Sequence, residues 1–204
     1  KNRHLRSSLY RDDLEENDSV RLSLLADLRA AINRNELDVH YQPKLDLRTG
    51  RVVAAEALAR WNHPERGPIR PDIFVELAEQ AGLIEGLTRQ VLGKSLAAVA
   101  EWQRRGWNMS VSVNVSAQSL LDEQLLDLGS DELRKTNVDP SLLTLEITES
   151  TMMGDPTRSH RILRGLSELG VRLSVDDYGT GFSSLVNLRH LPVSEIKIDR
   201  SFVS

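Results

Sequence analysis

The chain has 204 residues, 40% of them apolar and 27% charged, enough for one sizeable core and ordinary for a globular fold. A net charge of -4 gives no general attraction to nucleic acid, and three Trp, three Tyr and three Phe leave little for base stacking, so neither DNA nor RNA is expected as a partner. Cysteine is absent, which excludes a disulfide scaffold and any thiolate metal site.

No apolar run approaches the ~18 residues that cross a bilayer, and no signal-peptide pattern is present, so a cytoplasmic setting is expected. The chain begins at Lys1 and not at Met, so we expect a longer parent protein, with room for a membrane anchor elsewhere in it. Residues 1–34 read as a linker and an amphipathic helix: the acidic run Asp12–Asp18 looks solvated, and Leu24, Leu25, Leu28 and Ile32 share a helical face. Leu37 to Pro43 alternates as a strand, and a hairpin turn from Leu45 to Arg51 leads into a second strand to Leu58, so the first pair is antiparallel. A helical region from Asp72 to Arg105 follows, divided at Gly82, with Gly106 just past its end. After a strand ending at Asn114 and a helical stretch to about Lys135, a strand is expected over 143–148. Asp155-Pro156 is an N-cap and N1 pair opening a helix that stops at Gly170. Strands at 171–177 and 195–199, with a short helix around Leu185–Leu191 between them, complete the chain. From Val111 onward the order is β-α-β-α-β-α-β, the pattern of parallel crossover units.

These strands are not uniformly apolar, as strands buried only for packing would be. Side chains alternate faces, so one face carries Ser112/Asn114, Thr144/Glu146, Ser174/Asp176 and Lys197/Asp199, joined by Glu56 at the end of its own strand. Strand-end residues that build a single site are what a (β/α)8 barrel presents at its C-terminal face. A doubly wound sheet would place them only beside its switch point. A closed barrel wants eight strands, and strands seven and eight are therefore expected to be absent from this chain.

Glu56, Glu146, Asp176 and Asp177, with the Asn114 carbonyl, make an all-oxygen donor set suited to Mg2+ or Mn2+. The histidines at 4, 40, 63, 160 and 190 show no metal-ligand spacing. Adjacent Asp176 and Asp177 can splay toward two ions with one carboxylate bridging, and cations ~3.5–4 Å apart are a standard device for displacement at phosphorus. Any one of these acids alone reads more readily as a helix cap or surface charge; the set, repeated at parallel strand ends, does not. Lys197 projects with Asp199 while Ile196 and Ile198 face the helices. By spacing it serves equally to orient a water or neutralise phosphate, or as half of a Lys–Asp pair bracing the barrel. Asp177-Tyr178-Gly179-Thr180-Gly181-Phe182-Ser183-Ser184 is a glycine-rich loop placed directly after the double-Asp strand.

Glu56-Ala57-Leu58-Ala59-Arg60-Trp61 resembles the signature of the EAL-domain family of cyclic-di-GMP phosphodiesterases. Tyr41-Gln42-Pro43, Asn114-Val115-Ser116, Glu146-Ile147-Thr148-Glu149-Ser150, Asp176-Asp177-Tyr178-Gly179-Thr180-Gly181 and Lys197-Ile198-Asp199 are similar to that family's further motifs, in the same order. The resemblance implies an EAL domain over residues 35–204: a modified, TIM-like (β/α)8 barrel with an antiparallel first strand, C-terminally incomplete. It implies metal ligation by Glu56, Asn114, Glu146 and Asp176, with Asp177 on a second ion, Mg2+ or Mn2+. It implies Lys197 at the nucleophilic water, Glu149 restraining the Asp177–Ser184 loop, and Gln42, Leu58, Arg60 and Asp199 toward the substrate. The family cleaves one phosphodiester of cyclic-di-GMP to linear pGpG and takes a further Glu from strand seven and a Gln beside strand eight, both expected beyond Ser204. The amphipathic helix is similar to connectors that follow an upstream GGDEF or sensory domain. Two alternatives stay open: a non-catalytic cyclic-di-GMP receptor on the same barrel, and a homodimer whose second copy covers an open sheet edge.

Overall fold

The computed structural model describes residues 12–148, 155–179 and 191–202. Helix α1 spans Asp12–Asn33, so the acidic run expected as linker is the helix's own first part. Its later turns bury Leu24, Leu28 and Ala31 in the core, and His63 anchors it. The His63 Nδ1 accepts the backbone N–H groups of Glu65 and Arg66, which leaves Nε2 to donate to Asp27 at 3.2 Å.

Strands β1 (Asp38–Asp46) and β2 (Arg51–His63) pair antiparallel around a turn in which Asp46 Oδ1 accepts the N–H groups of Arg48 and Thr49. β2 runs five residues beyond the expected Leu58, because Trp61 and His63 are buried there. It also gains an unexpected partner, β3 (Gly67–Ile69). Helices α2 (Pro71–Gln80) and α3 (Ile84–Arg104) are divided at Gly82, whose φ of +66° is the left-handed geometry that glycine tolerates. Then come β4 (Ser110–Asn114), the short α4 (Ala117–Leu120), α5 (Gln124–Thr136), β5 (Leu143–Thr148), α6 (Pro156–Glu168), β6 (Arg172–Tyr178) and β7 (Glu195–Ile198). Asp155 caps α6 as anticipated, accepting the Arg158 N–H at 3.1 Å. The short helix expected around Leu185–Leu191 falls almost wholly outside the described residues.

Strand order is β1-β2-β4-β5-β6-β7, antiparallel for β1–β2 and parallel from β2 to β7, with β3 appended to β2. A flat sheet would hold β1 and β7 roughly 24 Å apart, at about 4.8 Å per step. Yet Lys44 Nζ on β1 lies 3.3 Å from Glu195 Oε1 on β7. The mixed sheet is therefore strongly curled, an α/β half-barrel whose first and last strands approach each other across its interior. Its convex face buries Ala55, Ala57, Val111, Val113, Leu143, Leu145, Ile147, Leu173 and Val175 among the helices. Ile196 and Ile198 do not follow this rule: they are 44% and 66% exposed, correcting the expectation that they face helices. β7 ends the strand path and pairs only with β6 among the described strands. None of the helices of the described residues is long and apolar enough to cross a membrane.

Candidate metal centre and active site

Strand register brings the polar face together. Glu56 stands beside Ser112, Asn114 beside Glu146, and Glu146 beside Ser174, so the sites alternate on neighbouring parallel strands. Carboxylate oxygens of Glu56, Glu146 and Asp176 lie within 4.8 Å of one another. Asn114 Nδ2 donates to Glu56 Oε1 at 2.9 Å, which leaves its carbonyl oxygen for another role. Lys197 Nζ stands amid the trio, 2.6 Å from Asp176 Oδ2, 2.8 Å from Glu146 Oε2 and 3.3 Å from Glu56 Oε2. Burial disfavours that ammonium, but its hydrogen bonds to Asp176 and Glu146 and the charges of Glu146 and Glu56 outweigh it, so its pKa is raised. Lys197 thus bonds three acids of other strands, with the Lys–Asp pair that the sequence left open as one role among them.

Asp176 and Asp177 would point to opposite faces of a regular strand. Here the β6–β7 register shifts between Val175 and Tyr178, and Asp177 takes a left-handed φ of +53°, a conformation that Asp tolerates better than most residues. The Asp177 N–H donates to Asp176 Oδ1 at 2.8 Å. The Asp177 carboxyl feels partial burial first and then the charges of Asp176, Asp199 and Glu56, against Lys197, and its pKa is raised. Asp177 is exposed and feels these charges, while the carboxylate cluster itself is made by Glu56, Glu146 and Asp176.

Gln42 pairs directly with Glu56 across the first hairpin, and Leu58 and Arg60 follow Glu56 at two-residue steps on that face. Arg60 Nη1 donates to the Ala59 carbonyl at 2.9 Å. Asp199 accepts the Ser201 N–H at 2.9 Å through Oδ1. Glu149 and the loop from Thr180 to Ser184 lie outside the described residues. Other motif residues are structural: Tyr41 packs edge-on to Trp102 with ring centroids 5.3 Å apart, and Ser116 caps α4 by accepting the Ser119 N–H.

The sequence reading missed two members. Lys44 Nζ bonds Glu146 Oε1 at 2.7 Å, Ser112 Oγ at 2.8 Å and Glu195 Oε1 at 3.3 Å, while Ser174 Oγ reaches the same Glu195 oxygen at 3.4 Å. Glu146 is buried with one oxygen on each ammonium. Period-two alternation held the signal, because Lys44 is two residues past Gln42 and Glu195 two before Lys197.

Three carboxylates and an amide carbonyl on converging strands form a donor set that can hold a hard divalent cation, and an ammonium already draws their oxygens toward one point. The chain has relatives. The EAL-domain family profile matches residues 25–204. The bifunctional diguanylate cyclase/cyclic di-GMP phosphodiesterase MucR of Pseudomonas aeruginosa is 42% identical over 198 residues, 96% of this chain and 29% of its own length. The cyclic di-GMP phosphodiesterase PdeR of Escherichia coli is 38% identical over 182 residues, 89% of this chain and 27% of its own length. The chain thus spans less than a third of these curated relatives. A solved PaMucR phosphodiesterase in complex with c-di-GMP superposes with a TM-score of 0.84 at 43% identity, over 89% of this chain and 74% of that one. The FimX EAL domain of P. aeruginosa, bound to c-di-GMP, superposes with a TM-score of 0.81 at 28% identity, over 88% of this chain and 72% of that one. With the family profile running through all of these motifs, the chain belongs to the EAL-domain family.

Proposed function

We propose that this domain hydrolyses one phosphodiester of cyclic-di-GMP to linear pGpG, using two divalent cations, Mg2+ or Mn2+. The observation that carries the reading is the convergence of Glu56, Asn114, Glu146, Asp176 and Lys197, in a chain 43% identical to a phosphodiesterase solved with c-di-GMP. Glu56, Asn114, Glu146 and Asp176 would hold the first cation, with Asp176 shared and Asp177 directed to the second. When bound, the cations would supply Lewis-acid activation of water and neutralise the phosphoryl oxygens.

The chain's own groups do the rest. Glu146, buried and pinned through Oε1 by Lys44, presents Oε2 in a fixed direction. Lys197 enters from the last described strand with an ammonium able to donate to the attacking water or to a phosphate oxygen. Gln42 and Arg60 would hold substrate and Leu58 would offer an apolar contact, a reading supported by their shared face in the β1–β2 register. Asp199 and Glu149 complete the proposed set, the second as restraint of the loop after Asp177. The curled sheet supports the finer fold reading, a modified (β/α)8 barrel with an antiparallel first strand. The names of MucR and of the oxygen sensor protein DosP support an upstream GGDEF or sensory partner in a longer protein, and α1 is the element through which it would act.

The test is direct. Protein incubated with cyclic-di-GMP and Mg2+ or Mn2+ should yield pGpG by chromatography, and Glu56→Ala should not. Tight nucleotide binding with no turnover under either metal would replace the enzyme with a receptor. A concentration-independent monomer in sedimentation would remove the homodimer.

A further inference from the structure

Lysine has three N–H donors and no acceptor. In this structure all three are spent on Glu56, Glu146 and Asp176, the three acids whose oxygens cluster within 4.8 Å. The ammonium is thus a tethered cation held by the donor atoms that a divalent ion would need. The second ammonium of the inner face, Lys44, is arranged differently. It shares only Glu146 with the trio, through the opposite oxygen, and spreads its other bonds to Ser112 and Glu195.

We propose that Lys197 is a built-in placeholder cation, which a divalent metal must displace and which thereby becomes a donor for the reacting groups only in the metal-loaded site. This rests on the metal-site reading above and deepens it. Two consequences follow from counting bonds. First, the mutual repulsion of the acids is lessened in the metal-free domain, because one ammonium bonds three of them on three strands. Second, the ammonium cannot hold these carboxylates and a water or phosphate oxygen together, since no donor is left over. Metal entry takes the oxygens and frees the donors, so loading the site and arming Lys197 are one event. Lys44 has no such conflict, because its bonds run to Oε1 of Glu146, to Glu195 and to Ser112, and to no other acid of the trio. It stays in place and keeps Glu146 a one-oxygen ligand.

The experiment is calorimetry with Mn2+ alone on metal-stripped protein, comparing wild type, Lys197→Met and Lys44→Met, with thermal unfolding of each before and after Mn2+. Both variants remove one positive charge beside Glu146, so Lys44→Met measures what general electrostatics contributes at that shared ligand. Displacement predicts about tenfold or more tighter Mn2+ binding for Lys197→Met alone, a charge-assisted bond being of that order. It also predicts that metal-free Lys197→Met melts below wild type and gains more from Mn2+. Equal tightening by the two variants, or none by either, overturns the placeholder while leaving a metal site. No Mn2+ binding by wild type or by either variant overturns the metal-site reading with it. Should Lys197→Met fail to fold, wild type carries the test: amine acylation followed by mass spectrometry should show Lys197 labelling rise severalfold on Mn2+ addition, with Lys44 unchanged. Labelling of Lys197 that stays flat or falls overturns the proposal.

Discussion

The two faces of one curled sheet obey different rules. On the convex face Val111, Val113, Leu143, Leu145, Ile147, Leu173 and Val175 are buried against helices, with nothing to hydrogen-bond and nothing to catalyse. On the concave face the residues between them, Glu56, Asn114, Glu146, Asp176 and Lys197, form a network held by charge. The strands are the same, and only the parity of the position differs. Apolar burial is therefore concentrated on one parity and the charged network on the other.

Substitutions should separate the faces. Glu56→Gln, on the concave face, should cut hydrolysis by about a thousandfold, a barrier increase of about 4 kcal/mol, with a chemical-denaturation midpoint close to wild type. A large loss of stability instead would mean that the network is structural. Leu173→Ala, one face over and fully buried, should cost about 3 kcal/mol in guanidinium unfolding. Its KM should hold wherever the protein stays folded.

Alkaline titration probes the network's cation. The folded pKa of Lys197 is raised above its ordinary 10.5, so its stabilisation is complete below that pH and is lost as pH rises through the folded value. The wild-type minus Lys197→Met difference should then shrink by up to about 1.4 kcal/mol per pH unit in the alkaline range. A difference independent of pH there would break the assignment. Asp155→Ala removes the cap of α6, on neither face, and should cost about 1 kcal/mol by thermal unfolding. The smallest effect has the opposite sign. Asp177, raised above 3.8, favours the fold when protonated, and that contribution is lost as pH rises through its folded value. Asp177→Asn should therefore stabilise the metal-free protein at pH 7, by under about 1 kcal/mol because the group is exposed.

Much of this was legible because alternation is a local property. Val-Ser-Val-Asn, Leu-Thr-Leu-Glu and Leu-Ser-Val-Asp state which residues face inward whatever the fold, and the hairpin from Leu45 to Arg51 forces β1 and β2 antiparallel. Lys44 and Glu195 obeyed the same parity but carried no pattern that tied them to Glu146. Nor could periodicity show that Ile196 and Ile198 are exposed, since exposure depends on what packs over β7. The helical state of the run after Asp12 was hidden by its solvated composition. Asp177 is the clearest case: strict alternation sends it away from Asp176, and the bulge with its positive φ breaks that alternation, which no sequence pattern announces.

The amino-acid order by itself determined most of the elements, most of their inward residues and the family resemblance, because helix caps, turns and two-residue alternation act over a few bonds. Tertiary structure alone decided that β1 and β7 meet across the concavity, that Lys44 and Lys197 divide the two oxygens of Glu146, and that one ammonium stands where three acids converge. These depend on the twist and curl accumulated over six strands, a sum of small rotations that no local window of sequence contains.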